Sequence, residues 1–228
     1  MASPRSEAGL SLTGETFRKL THVFALVMPL VAWSVGSLAG FIIMLPFTLL
    51  AIGSDVLRVR SPGFNRFIER SFGIMMRDRE LPRVGSTVVL NGATWTLMAF
   101  TLLLFVFELG IAVTMFSTFM IGDGAAAMVG RRIGRHKWGR KGCSVEGSAA
   151  FFVFGLLTAI LIGGGGVVST AYEFPLGALA AGTLAGAIAE VVPLPVNDNL
   201  ASPLGAAIVM AAVLEWIYAI RLEYFPIF

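Results

Sequence analysis

Between Thr21 and Leu57 the chain is almost wholly apolar. As one helix that stretch would be roughly 55 Å long, against a bilayer hydrocarbon core of about 30 Å. It therefore folds back on itself as two spans, with Gly36-Ser37-Leu38-Ala39-Gly40 as the turn and Pro29 and Pro46 as kinks within the spans. The run from Val84 to Val129 would reach roughly 69 Å and imposes the same solution, with Glu108-Leu109-Gly110 as the break. Further spans are expected from about Gly147 to Val168, from about Pro175 to Val192 and from about Ser202 to Ile220. Ser202 is placed to cap the last of these and Pro203 to occupy its first helical position. The fold class expected is all-α, a polytopic membrane bundle of about seven transmembrane helices. Composition agrees: 56% of residues are hydrophobic and 14% charged, where a soluble domain carries about 25% charged residues.

The polar segments set the orientation. Residues 1–15 read as a short polar tail without the apolar core of a signal peptide, and residues 16–228 as a single transmembrane domain without internal repeats. The segment from Arg58 to Arg83 alternates charges with Phe64, Phe67, Ile68, Phe72, Ile74 and Met75, an amphipathic pattern too polar to cross and suited to the membrane surface. With the amino terminus in the cytosol, every Lys and Arg except Arg221 falls on the cytosolic side, as the positive-inside rule requires. Trp33, Tyr172, Trp216 and Tyr218 then form an outer aromatic belt. The lone Cys143 excludes an intrachain disulfide and a cysteine zinc site.

The same topology collects the unusual polar residues at one face. An ionised Asp within a membrane helix costs about 2.5 to 3.5 kcal/mol, so Asp123, inside the fourth span, needs a partner or a function. Ala127 and Gly130 share its helical face and leave room beside it. Arg131, Arg132, Arg135, His136, Lys137, Arg140 and Lys141 follow, interspersed with Gly130, Gly134, Gly139 and Gly142. Glycines let backbone N–H groups approach phosphate oxygens, and cations neutralise them. A basic loop alone would read as a cytosolic loop touching anionic headgroups, but the buried Asp123 beside it favours a site. Glu190 recurs on the face of Gly182 and Gly186 and points into the bundle, and Asp198 opens the loop before the last span. Carboxylates facing cations at one interface suit a metal-bound phosphate compound, since Mg²⁺ takes a few carboxylates plus phosphate oxygens. His22 reads as a satisfied helix-end residue, Gly163 to Gly166 as helix packing, and no G-x-x-x-x-G-K-[ST] phosphate loop is present.

The order of these motifs resembles the polyprenol and diacylglycerol kinase family of membrane proteins, which includes dolichol kinase, phytol kinase and the CTP-dependent diacylglycerol kinase of fungi. Arg18-Lys19-Leu20-Thr21-His22 is similar to the family's Arg-Lys-x-x-His, Gly122 to Arg131 to its Gly-Asp-x-Ala-Ala-x-x-x-Gly-Arg, Glu146-Gly147-Ser148 to its Glu-Gly-Ser, and Asp198 to Leu204 to its Asp-Asn-Leu-x-x-Pro-Leu. The segments Asp55-Val56-Leu57-Arg58, Ser61 to Asn65, Met76-Arg77 with Glu80, and Asn91 to Trp95 look most like the diacylglycerol kinase branch. Two departures stand out: Lys141 and Ser144 are two residues further apart than in the family's Lys-Ser-x-Glu-Gly, and Asn197 stands where a second Asp is common.

The resemblance implies a lipid kinase that moves the γ-phosphoryl group of a nucleoside triphosphate, CTP in that branch, to the hydroxyl of a membrane lipid alcohol, with diacylglycerol as the best match and dolichol, polyprenol or phytol as alternatives. It implies Asp123 and Asp198 as ligands of Mg²⁺ or positioners of the hydroxyl, and Glu190 as a further candidate for metal or base. Arg18, Lys19, Arg131 and Arg132 would contact phosphates, with Gly130, Lys137, Lys141 and Asn199 completing the nucleotide site. The setting would be the inner membrane of a prokaryote or the endoplasmic reticulum of a eukaryote, with the site facing the cytosol and no nucleic-acid partner. A phosphatidate cytidylyltransferase would use similar parts and release pyrophosphate. An anion transporter would also need buried carboxylates, though usually with internal repeats and broken helices at the midplane.

Overall fold

A computed structural model describes residues 17, 20–76, 80–139, 142–165 and 173–226. The expected tail at 1–15, and with it Arg18, Lys19, Arg140, Lys141 and Tyr172, lies outside the described residues.

The helices, in chain order, are α1 (Val27–Val35), α2 (Ser37–Arg60), α3 (Pro62–Phe72), α4 (Gly92–Val106), α5 (Leu109–Arg132), α6 (Val145–Gly163), α7 (Leu176–Val191) and α8 (Asp198–Trp216). A two-stranded antiparallel hairpin, β1 (Lys137–Trp138) and β2 (Cys143–Ser144), pairs Lys137 with Ser144 between α5 and α6. Of the helices, α2, α5, α6 and α8 are long and apolar enough to cross a bilayer, while Leu20–Val35, α4 and α7 are shorter apolar helices. Exposed Phe24, Leu30, Ile42, Leu50, Leu157 and Ile208 give the bundle an outer surface that water would not tolerate but lipid does. This is an all-α bundle of membrane type, and the turns at Gly36 and Glu108 fall where the sequence places them.

The ends of these helices have local causes. Gly36 has φ +89°, a left-handed conformation that a side chain resists, and it reverses the chain between α1 and α2. Pro29 has no N–H for the Ala25 carbonyl, which instead accepts from Met28 N at 3.0 Å, so the helical stretch beginning at Leu20 is irregular just before α1. Ser61 caps α3 with Pro62 at its first position, and Asn91 caps α4 by accepting from Ala93 N and Thr94 N. The Ser144 hydroxyl caps α6 through Gly147 N at 3.0 Å.

Two expectations need correction. The last span begins a turn earlier than Ser202: Asn197 caps α8 by accepting from Asn199 N at 3.0 Å, Asp198 is the first helical residue, and Ser202 and Pro203 are buried inside the helix. The surface segment starts after Arg58, which closes the second span together with Asp55. Arg58 lies in the last turn of α2, and it and Asp55 are both 0% exposed. The amphipathic part of that segment is α3, which follows.

Helix α5 is the hub. Of its apolar stretch 72% is buried, against 17% to 39% in the other three long helices. Phe100 of α4, Phe116 and Phe119 of α5, and Phe151 of α6 fill the centre without exposure above 1%. At Gly163 an added Cβ would lie 3.0 Å from Phe174 and from Thr114, so this glycine serves close packing as expected. A buried Thr48–Thr101 hydroxyl pair at 2.8 Å ties α2 to α4. At one end of the bundle Phe225 N donates to Val106 O and Ser37 Oγ to Leu104 O. At the other, Asn199 Nδ2 donates to Gly92 O at 2.9 Å, bringing the starts of α8 and α4 together. The polar residues of interest gather at this second end.

Candidate active site

Asp123 sits in the second half of α5, its side chain 17% exposed, with Oδ2 2.9 Å from His22 Nδ1. The imidazole is 8% exposed. The pair meets at ion-pair distance without the alignment of a hydrogen bond. The half-buried carboxylate thus has a partner in His22, read from sequence as an ordinary helix-end residue. The Arg-Lys-x-x-His motif was the signal that pointed to it.

Two cavities of opposite character lie nearby; His22 lines the larger, and Asp123 lines neither. The larger, about 600 Å³, is walled by apolar side chains that include Phe24, Met28, Met44, Phe72 and Met76. His22, Glu80, Asn91, Thr94 and Asn199 supply its polar groups. A mostly apolar pocket with a few polar groups is what a ligand with a long hydrocarbon part and a small head requires.

The smaller cavity, about 210 Å³, begins on α5 one turn beyond Asp123, at Ala126, Ala127, Gly130 and Arg131. Lys137 of β1, Ser144, Gly147 and Ser148 at the start of α6, and Glu190 near the end of α7 complete it. The pocket exists because α5 and α6 approach closely at glycines. A Cβ on Gly147 would stand 3.0 Å from both Ala126 O and Ser144 Oγ, and one on Gly130 would stand 3.0 Å from Ser144 Oγ. Two cations, hydroxyls and backbone at a glycine crossing form a cradle for an anion of phosphate type.

The residues singled out from sequence distribute as follows. Gly130, Arg131, Lys137 and Glu190 meet in the smaller cavity, and Asn199 lines the larger one. Asp123, Asp198, the first residue of α8, and Arg132, exposed at the end of α5, line neither. Among the described residues no three His, Cys, Asp or Glu side chains converge as a metal cluster. The hairpin adds an outer support: His136 Nδ1 lies 2.7 Å from Glu146 Oε1, and Trp138 Nε1 donates to Ser148 Oγ at 3.1 Å, which ties the basic loop to α6.

Comparison with known proteins adds a partial likeness. The chain is 28% identical over 148 residues to an uncharacterised protein of Rickettsia prowazekii (strain Madrid E), covering 65% of this chain and 70% of that one. It is 36% identical over 120 residues to a probable chloroplastic phytol kinase 2 of Glycine max, covering 49% of this chain and 41% of the kinase. A probable chloroplastic phytol kinase of Zea mays matches at the same 36% over 120 residues, covering 39% of its length. The chain thus spans about two fifths of the length of these plant relatives. Their names lend no support to the diacylglycerol branch in particular. No protein-family model matches the chain, and no solved structure does.

Proposed function

We propose that this protein is a membrane lipid kinase, transferring the γ-phosphoryl group of a nucleoside triphosphate to the hydroxyl of a lipid alcohol. The observation that carries the reading is the position of Asp123: it touches His22 in the wall of the apolar cavity, and the cationic cavity starts one turn further along its own helix. A hydrocarbon chain in the first and phosphates in the second would bring a hydroxyl and a phosphorus together beside one carboxylate. In such a transfer the acceptor oxygen bonds to phosphorus, the bond to the nucleoside diphosphate breaks, and the hydroxyl proton passes to a carboxylate of the site or to water. Catalysis then rests on positioning and charge stabilisation, for which this constellation is suited.

Arg131 and Lys137 neutralise phosphate oxygens in this reading, with Arg18, Lys19, Arg132 and Lys141 as further cations on the same side of the sequence pattern. Mg²⁺ bound to nucleotides usually takes one or two carboxylates plus phosphates rather than an all-protein cage. Asp123, with Asp198 or Glu190, fits that modest donor set, and the ion would supply charge neutralisation at the transferred group. CTP as donor follows from the motif resemblance. The phytol kinase likeness draws the acceptor towards an isoprenoid alcohol, and the Asp55 to Trp95 motifs draw it towards diacylglycerol.

The test is incubation of the purified protein in lipid micelles with Mg²⁺, γ-labelled CTP or ATP, and phytol, polyprenol, dolichol or diacylglycerol in turn. The expected outcome is label in one class of lipid. No labelled lipid with any pair removes the kinase reading. In a further arm with phosphatidate and CTP, a CDP-lipid formed with release of pyrophosphate would instead establish a cytidylyltransferase.

A further inference from the structure

The end of α2 holds a polar cluster to which neither the sequence nor the reading above gives a role. Asp55 and Arg58, both 0% exposed, pair at 3.2 Å. Asp55 also accepts from Asn91 Nδ2 at 2.8 Å, from Asn91 N at 3.0 Å and from Thr94 Oγ1 at 2.7 Å. Arg58 donates from Nε to Asn65 Oδ1 at 3.3 Å and from Nη2 to the Glu80 carbonyl at 3.0 Å, with Met76 Sδ 3.5 Å from the same nitrogen. Burying an ion pair seldom stabilises a fold more than well-packed apolar side chains of the same volume would. Direction is what such a network adds. The planar guanidinium holds three partners in fixed geometry, and no apolar substitute can do that.

Those partners sit on the elements that wall the large cavity. Asn65 is on α3, whose Ile68 and Phe72 line the cavity, and Met76 and Glu80, which Arg58 also contacts, line it with Met75. Across from them, Asp55 fixes the start of α4, where Asn91 and Thr94 are lining residues. The outer face of α3 is that of a helix lying in the membrane interface: Phe67 is 60% exposed, with Arg66 and Arg70 exposed beside it. Helix α3 thus turns Ile68 and Phe72 to the cavity and an exposed amphipathic face away from it, and Arg58 is its fastening.

We infer that Arg58, oriented by Asp55, is a positioning residue that sets α3, Met75, Met76 and Glu80 as the acceptor-side wall and thereby governs acceptor affinity and chain selectivity. The inference rests on the lipid-kinase reading. It differs from that reading in what it predicts, because loosening this wall affects the acceptor and leaves the nucleotide alone.

The experiment compares full-length wild type with Asn65→Ala and Arg58→Lys in phosphatidylcholine vesicles, using whichever alcohol and labelled nucleotide the wild type turns over. Asn65 and Arg58 do not line either cavity, and Asn65→Ala leaves the Asp55–Arg58 pair in place, which keeps a test available where Arg58→Lys does not fold. Loss of one buried hydrogen bond to a charged group corresponds to about a tenfold effect. The expected result is therefore an acceptor KM raised about tenfold and an altered preference between shorter and longer acceptor chains. The nucleotide KM and the kcat at saturating acceptor should stay within about twofold of wild type. Unchanged acceptor kinetics in Asn65→Ala, or an equal loss in acceptor and nucleotide parameters together, overturns the inference while leaving the kinase reading intact. A wild type that labels no alcohol removes both.

Discussion

Replacing Gly182 by alanine tests the helix packing that carries the site. Gly182 lies on α7 where it crosses α5 and α8, and a Cβ there would stand 2.8 Å from Met115 Sδ, 2.9 Å from Ala206 O and 2.9 Å from Met210 Cβ. Ordinary contact begins at 3.4 Å, so the deficit against the Ala206 carbonyl is 3.4 minus 2.9, or 0.5 Å. Met115 has rotamers to try, but a backbone carbonyl in α8 moves only if the helix moves. Overpacking of this kind costs about 1 to 3 kcal/mol, against which alanine's helix preference over glycine returns about 0.5 to 1 kcal/mol. Gly205→Ala on α8 is the matched control: its Cβ would meet only Ala189 Cβ, at 3.9 Å, so it gains the helix preference without the clash. The two variants should differ by about 1 to 3 kcal/mol. At about 2 to 4 °C per kcal/mol for a chain of this size, their melting temperatures differ by about 2 to 12 °C. Thermal unfolding followed by circular dichroism in one detergent is the assay. Equal melting of Gly182→Ala and Gly205→Ala would refute the α7–α8 crossing described above.

Two further substitutions separate the cavities. Lys137→Ala should raise the nucleotide KM about tenfold, through loss of a charge-assisted phosphate contact, and flatten its salt dependence, with the acceptor KM unchanged. Steady-state kinetics at two ionic strengths check this. Ala51→Phe places a ring in the wall of the larger cavity and should raise the acceptor KM while nucleotide binding, read by equilibrium dialysis, stays as in wild type. An effect of Ala51→Phe on nucleotide binding would contradict the separation of the two pockets.

The legibility of the chain followed the range of the interactions. Span number and the turns at Gly36 and Glu108 were readable because they depend on apolar length and on local backbone preference. The convergence of Gly130, Arg131, Lys137 and Glu190 was readable because alternating spans bring the end of α5, the basic loop and the end of α7 to one face. The start of α8 was misread because Ser-Pro is a strong local signal, yet Asn197 caps a turn earlier and a membrane helix tolerates the proline within it. The contacts of Asp55 and Arg58 were beyond local reading. Their partners Glu80, Asn91 and Thr94 lie more than 20 residues away in sequence and become neighbours only once α2 and α4 pack. The His22–Asp123 contact, 101 residues apart (123 minus 22), was lost for the same reason, although a motif had marked each residue.

In the proposed transfer Asp123 stands where an acceptor hydroxyl and a nucleotide phosphate meet. Asp123→Asn keeps the size of the side chain and removes its charge, and the direct measurement is transfer of label from γ-labelled nucleotide to lipid by wild type and variant in the same vesicles. The account predicts transfer by the wild type and a loss of about 100-fold or more in the variant, the scale of removing a preorganised charge from a phosphoryl-transfer site, with nucleotide binding and membrane insertion retained. Transfer by Asp123→Asn at the wild-type rate would contradict it.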